Sequence, residues 1–196
     1  MLVPATLAVV VWLLSLWPLA LLLAILAAFM AFFFRDPDRQ SPTDPDVVVA
    51  PADGRVTRVR PVNEGVAGSA TLVSIFLSPL DVHINRAPIG GKITNVAYTR
   101  GQFLMATNAN ASLVNEQNAL TIEGDNVTVV CKQIAGILAR RIVCWKTAGE
   151  RLKLGERFGL IKFSSRTDVL LPASVEVLVA EGARVQGGTT IIGRVR

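Results

Sequence analysis

"FGLIKFSSRTDVLLP", residues 158–172, places two short apolar runs on either side of five consecutive polar residues, Ser164 to Asp168. Apolar run, polar break, apolar run is the pattern of two strands joined by a hairpin connection. The Ser, Arg, Thr and Asp of the break read as its turn. The same pattern extends outward in both directions: "DVVVAP", "GRVTRVRPV", "ATLVSIFLS", "GKITNVAYT", "NALTIEG", "NVTVVCKQIAG", "ARRIVCWK", "SVEVLVA" and "TTIIGRV". Each run is rich in Val, Ile, Thr and Leu, and most are bounded by Gly, Pro, Asn or Asp. These residues predict a mostly-β domain. Helical stretches are few, at "QFLMATNANASLVNEQN" and "AGILARR", and no repeat with a period of about 20–50 residues stands out.

Two segments, "VVAPADGRVTRV" (48–59) and "VLVAEGARVQGGTTIIGRV" (177–195), share a strand, glycine turn, strand layout. That layout resembles the barrel-sandwich folds of biotinyl and lipoyl carriers, and the two segments are expected to pack together. A carrier needs a lysine at its hairpin tip. Here Asp53-Gly54 and Glu181-Gly182 occupy the tips.

The first 34 residues carry no Asp, Glu, Lys, Arg or His. An apolar stretch beyond about 18 residues points to the bilayer. This one is too long for one upright span, and Pro18 falls near its middle. It reads as a membrane anchor over residues 1–34, either one long tilted or kinked helix or, preferably, two short arms (Val3 to Trp17 and Pro18 to Phe34) in a re-entrant hairpin. Trp12 and Trp17 suit the headgroup level. A cleaved signal peptide is the competing reading, but the segment lacks a basic start and exceeds the usual apolar length.

The proline-rich stretch 35–46 reads as an extended linker, and residues 47–196 as the β domain. Arg35 and Arg39 place that domain on the cytoplasmic side of the cell membrane. Cys131 and Cys144 sit in apolar runs and read as reduced core residues. No CxxC or Cys/His cluster suggests zinc. The net charge of +5 suits anionic lipid headgroups. It is not arranged for nucleic acid, since no basic cluster is interleaved with aromatics.

The sole histidine, His83, lies in "SPLDVHINRAP" beside Asp81, Asn85 and Arg86. Four polar side chains between Leu77 and Ile89 are costly in a buried strand unless something is bound there. Asp53 stands at a strand end in "APADGRV", and "SLVNEQNAL" offers Asn115, Glu116 and Asn118. Taken singly, an Asp-Gly turn and a polar loop explain the last two.

Taken in order, "PADGRV" (51–56), "SPLDVHINRAP" (78–88), "NEQN" (115–118), "QIAGILARRIV" (133–143) and "RFGLIKFSSRTDVLLP" (157–172) resemble phosphatidylserine decarboxylase of the short bacterial and archaeal form. The resemblance implies no metal and no external cofactor, because that family makes a pyruvoyl group from a serine of its own chain. It casts Ser165 as the nucleophile that attacks the carbonyl of Ser164, turning amide into ester. Loss of the Cα proton then splits the precursor into residues 1–164 and 165–196, which stay associated, and hydrolysis of the resulting dehydroalanine leaves the pyruvoyl. It further implies His83 as base with Asp53 as its partner, and a Schiff base between the pyruvoyl and the substrate amine. His83 would return a proton after CO2 loss. Arg86, Lys162 and Arg166 are candidate partners of the anionic headgroup, with Asn115 as a further substrate contact.

Two positions depart from the family pattern: Ser164 stands where glycine is usual, and Arg86 stands at the second histidine of the H-x-x-H found in longer members. A homodimer is left open. So are a non-catalytic, membrane-tethered barrel-sandwich binding module and a pyruvoyl enzyme for a related phospholipid headgroup.

Overall fold

The computed structural model describes residues 2–13, 16–63, 68–108, 110–137, 141–162 and 165–196. The chain divides into two units, Met1–Pro37 and Asp38–Arg196. The first unit holds α1 (Leu2–Leu13) and α2 (Trp17–Phe33). Pro18 lies in the first turn of α2, where its missing N–H costs nothing. The apolar segment is therefore two helices, not one long one. At 1.5 Å per residue they measure about 18 and about 26 Å. No described helix is long and apolar enough to cross a membrane. Both present apolar side chains outward, including Val3, Trp12, Trp17 and Ile25.

The second unit is mostly β. Its strands are β1 (Val47–Val49), β2 (Gly54–Val62), β3 (Ala70–Leu77), β4 (Ile84–Arg86), β5 (Gly91–Thr99), β6 (Gln117–Glu123), β7 (Thr128–Ile134), β8 (Ile142–Cys144), β9 (Arg151–Leu152), β10 (Arg157–Ile161), β11 (Ser165–Pro172), β12 (Val175–Val177), β13 (Arg184–Val185) and β14 (Ile191–Val195). A single helical turn, α3 (Ala111–Val114), interrupts the β5–β6 connection. The main sheet has the order β13-β2-β3-β11-β7-β6-β5-β9, and two three-stranded sheets have the orders β1-β14-β12 and β4-β10-β8. Register shifts at Val56/Arg58 and Ile93/Asn95 add local twist to the main sheet.

One face of that sheet supplies the core. Val73, Ile75 and Leu77 of β3, Cys131 of β7 and Val169 and Leu171 of β11 cluster with Ala87, Ile89, Phe158 and Ile192. The two glycine-turn segments do pack together: Arg184 pairs with Arg55 and Val185 with Gly54, while Val47 pairs with Arg194. Gly54 has φ +148°, and a Cβ there would meet the Phe76 carbonyl oxygen at 2.0 Å. That close approach requires glycine at this turn.

The hairpin reading of 158–172 needs a correction. Ser165 to Asp168 are not the turn; they open β11 and are fully buried. Arg166, Thr167 and Asp168 tolerate burial because their side chains find partners, as described below. Nor do the two strands form a hairpin: β10 pairs with β4 and β8, whereas β11 lies between β3 and β7 in the main sheet, and of the link 162–164, residues 163 and 164 lie outside the described residues. The helix at "AGILARR" is not found over 135–137, and 138–140 lie outside the described residues.

Candidate active site

β11 lies between β3 and β7, with Ser165 opposite Leu77 and Arg166 opposite Ile134. Strand alternation sends Ser165 and Thr167 to the core face and Arg166 and Asp168 to the other. Ser165 is fully buried, and its Oγ has no hydrogen-bond partner among the described residues. A buried hydroxyl without a partner costs stability; among the described residues Ser165 shares that state with the hydroxyl of Ser74 on β3.

His83 comes to the same end of the sheet by a different route. β3 ends at Leu77, opposite Ser165, and the chain turns back at 78–82 to β4. There Ile84 pairs with Leu160 of β10, the strand that leads into residue 165. The two connections, 78–83 and 162–164, thus leave neighbouring strands at one edge. The turn is fastened by its own groups: Asp81 Oδ2 accepts from Ser78 N at 2.8 Å, and Asp81 Oδ1 pairs with Arg184 at 3.0 Å. His83 is buried, with Nδ1 2.9 Å from the Asp81 carbonyl oxygen. A carbonyl oxygen only accepts, so Nδ1 carries the proton and the buried Nε2 is the basic nitrogen.

Asp53 is not the partner of His83. Its carboxylate is held by Arg39 in a bidentate pair, 2.5 and 2.7 Å, and accepts from Gly187 N at 2.8 Å. The group that faces His83 Nδ1 is instead the Asp81 backbone carbonyl. Asp53 acts one step back: it fixes the turn whose Pro51 carbonyl accepts from Arg86 N at 2.8 Å.

Two residues expected at substrate are also committed elsewhere. Arg166, 1% exposed, pairs with Asp168 at 2.9 and 3.0 Å. It also donates to the carbonyls of Ala106 and Asn108 and to Ser112. The Asn115 amide closes on Leu104 N, Leu104 O and Ala135 O at 3.0, 2.8 and 2.8 Å. Both fasten the 100–116 connection to the sheet. Arg86 is buried and donates to Gly155 O at 3.2 Å. Lys162 is half-buried and its N–H donates to Arg141 O. Ser164 lies outside the described residues.

Sequence reading missed the network joining these parts. Asn118 donates to Gln133 Oε1 at 3.0 Å, Gln133 to Asn85 Oδ1 at 2.8 Å, and Asn85 to Thr167 Oγ1 at 3.1 Å. All four are buried. Their period-two placement in β6, β7 and β11 was the available signal. Cys131 and Cys144 are free thiols, and no cluster of metal-ligating side chains occurs among the described residues.

Comparison with known proteins identifies the family. The phosphatidylserine decarboxylase family profile matches residues 26–193. A phosphatidylserine decarboxylase proenzyme of Solibacter usitatus is 50% identical over 191 residues, covering 97% of this chain and 90% of the relative. That of Symbiobacterium thermophilum is 52% identical over 181 residues, covering 91% and 84%. That of Carboxydothermus hydrogenoformans is 46% identical over 187 residues, covering 94% and 87%. With a family match and relatives of about half identity across most of its length, this chain belongs to the phosphatidylserine decarboxylase family.

Proposed function

We propose that this chain is a proenzyme that cleaves itself between Ser164 and Ser165 and then decarboxylates phosphatidylserine to phosphatidylethanolamine. The buried Ser165 hydroxyl, left without a partner among the described residues at the head of a fully buried strand, carries this reading. The pyruvoyl group made from Ser165 supplies, once formed, an electron sink for the pair released with CO2. The residues present fit it, since its formation needs a serine hydroxyl beside the preceding carbonyl and a base. His83 Nε2 takes the Ser165 Oγ proton in maturation and delivers a proton to the substrate α-carbon in turnover. Arg86 and Lys162 offset the charge of the headgroup, and Asp53 supports Arg86 through the 51–54 turn.

The two products of cleavage hold together through strand pairing. β11 opens the small chain yet lies between β3 and β7, and β13 and β14 pair with β2 and β1 of the large chain. Separating them would strip a central strand from the main sheet, so they remain one domain. Residues 1–34 form the anchor, two apolar helices with outward-facing Trp12 and Trp17 suited to the bilayer interface. Residues 35–46 link it to the catalytic domain, 47–196, on the cytoplasmic side.

Intact mass of the denatured protein tests this, with Ser165→Ala and Ser164→Gly alongside. Fragments 1–164 and 165–196, the second blocked at its N-terminus as pyruvoyl, are expected for wild type, and a whole chain for Ser165→Ala. A whole wild-type chain beside a cleaved Ser164→Gly chain would mark Ser164 as stalling maturation. Whole chains throughout, with no CO2 released from phosphatidylserine in detergent, would overturn the proposal.

A further inference from the structure

Several connections leave the main sheet at the end where Ser165 lies, four of them grouped around β3, β11, β7, β6 and β5. Register fixes this: Thr99 pairs with Gln117, Gln117 with Ile134, Ile134 with Arg166, and Ser165 with Leu77. The described parts of segments 78–83, 100–116, 135–141 and 162–164 therefore emerge side by side. Three of them expose a large apolar side chain: Leu80 (64% exposed), Met105 and Leu113 (60% and 70%) and Ile137 (51%). Tyr98 stands exposed at the adjoining strand end. In the second unit only Trp145 and Leu178, among the described residues, are otherwise large, apolar and exposed.

The opposite end of the sheet differs in kind. Its β6–β7 turn is Gly124, Asp125, Asn126 and Val127, with no exposed large apolar group. Apolar tips gathered at one end, next to a reactive serine, are not the random scatter of a soluble surface.

The tips are held in place and held together. Arg166 and Arg58 bind carbonyls of residues 106–108, Asn115 closes the base of the same loop, and a groove of about 390 Å³ runs between Phe103, Met105, Thr107 and Ile137. Charge follows the same geography. The described residues of these connections carry Arg100, Arg141 and Lys162 against Asp81 and Glu116, and Asp81 is already paired with Arg184.

We infer that this end of the catalytic domain is a membrane-docking face, whose apolar tips enter the acyl layer of an anionic bilayer while the surrounding cations meet its headgroups. The inference rests on the proposed activity for its occupant: a diacyl substrate resides in the bilayer, and the reacting serine must meet a headgroup at the surface. Shallow insertion of apolar side chains plus headgroup attraction is the physics of interfacial binding.

The test uses the full chain with Cys144→Ser, leaving Cys131 buried. A nitrobenzoxadiazole probe is attached at Met105→Cys, Ile137→Cys or Leu178→Cys, and vesicles of phosphatidylcholine with phosphatidylglycerol are added. Blue-shifted emission and quenching by acyl-chain spin labels are expected at Met105 and Ile137 but not at Leu178. Water-like emission at Met105 and Ile137, or an equal shift at all three sites, overturns the inference. Independently, Met105→Asp with Ile137→Asp is expected to slow decarboxylation of vesicle phosphatidylserine about tenfold or more, with water-soluble short-chain phosphatidylserine turned over at the wild-type rate. Equal loss on both substrates, or none on either, also overturns it. If wild type acts on neither substrate the assigned activity fails, and the probes alone decide docking.

Discussion

Asn85 donates to Thr167 Oγ1 at 3.1 Å, and each stands two positions along the chain from a residue of the proposed site, His83 and Ser165. The bond joins the segment bearing the base to the strand bearing the nucleophile, and so sets their register. Gln133, which donates to Asn85 at 2.8 Å, keeps the Asn85 amide turned toward Thr167. Removing the acceptor with Thr167→Val leaves a buried amide unpaired, at about 1–3 kcal/mol. A slip of this clamp misplaces reacting atoms, which costs up to about a hundredfold in rate. Thr167→Val should therefore accumulate whole precursor on denaturing gels, while Thr167→Ser, which keeps the hydroxyl, matures as wild type. Normal maturation of Thr167→Val would remove the clamp from the mechanism.

This clamp also marks the limit of what the sequence discloses. Strand identity was legible because alternating or continuous Val, Ile and Leu between glycines and prolines has one economical use. The 158–172 stretch misled for a physical reason: four buried polar residues look like a turn unless their partners are known. Those partners, Asn85, Ala106, Asn108 and Ser112, are 54 to 82 residues away in the chain. Ser165 and His83 were reachable through motif order. The contact of His83 with the Asp81 backbone carbonyl was not, since any residue type supplies a carbonyl. The short strands β4, β9 and β13 carry too few residues for a period to show.

Arg166 and Asp168 form a pair at 1% and 0% side-chain exposure. Breaking such a pair leaves a buried charge alone and costs about 3–5 kcal/mol. Arg166→Met and Asp168→Leu should each lower the unfolding midpoint sharply, and the double variant should recover much of the loss. Chemical denaturation of the three variants measures this. If Arg166 instead served the headgroup, Arg166→Met would keep its stability and raise KM alone.

Arg39 and Asp53 close a bidentate pair at 10% and 13% exposure, with Gly187 bound to both residues. The pair spans the chain from the linker to the C-terminal hairpin. Arg39→Ala and Asp53→Ala should each cost about 1–3 kcal/mol and be strongly non-additive in the double variant. Because His83 Nδ1 rests on Asp81 O, Asp53→Asn should leave the pH midpoint of self-cleavage where wild type has it. A shifted midpoint would place Asp53 against His83 and restore the triad reading.

Cys131 offers a probe of the core that cleavage must not disturb. It is fully buried on β7, opposite Val169. Burial pushes its thiol up, with the charge of Asp168 and the neighbouring Cys144 adding to the shift. Only the thiolate is nucleophilic, so a thiol held neutral and shielded does not alkylate. Iodoacetamide at about pH 8 should modify Cys144 alone in the folded precursor, and both cysteines in guanidinium. The matured protein should give the same pattern, because Cys131 sits between β11 of the small chain and β6 of the large one. Alkylation of Cys131 after cleavage would show that β11 loosens when its N-terminus is freed, contrary to an interlocked two-chain sheet.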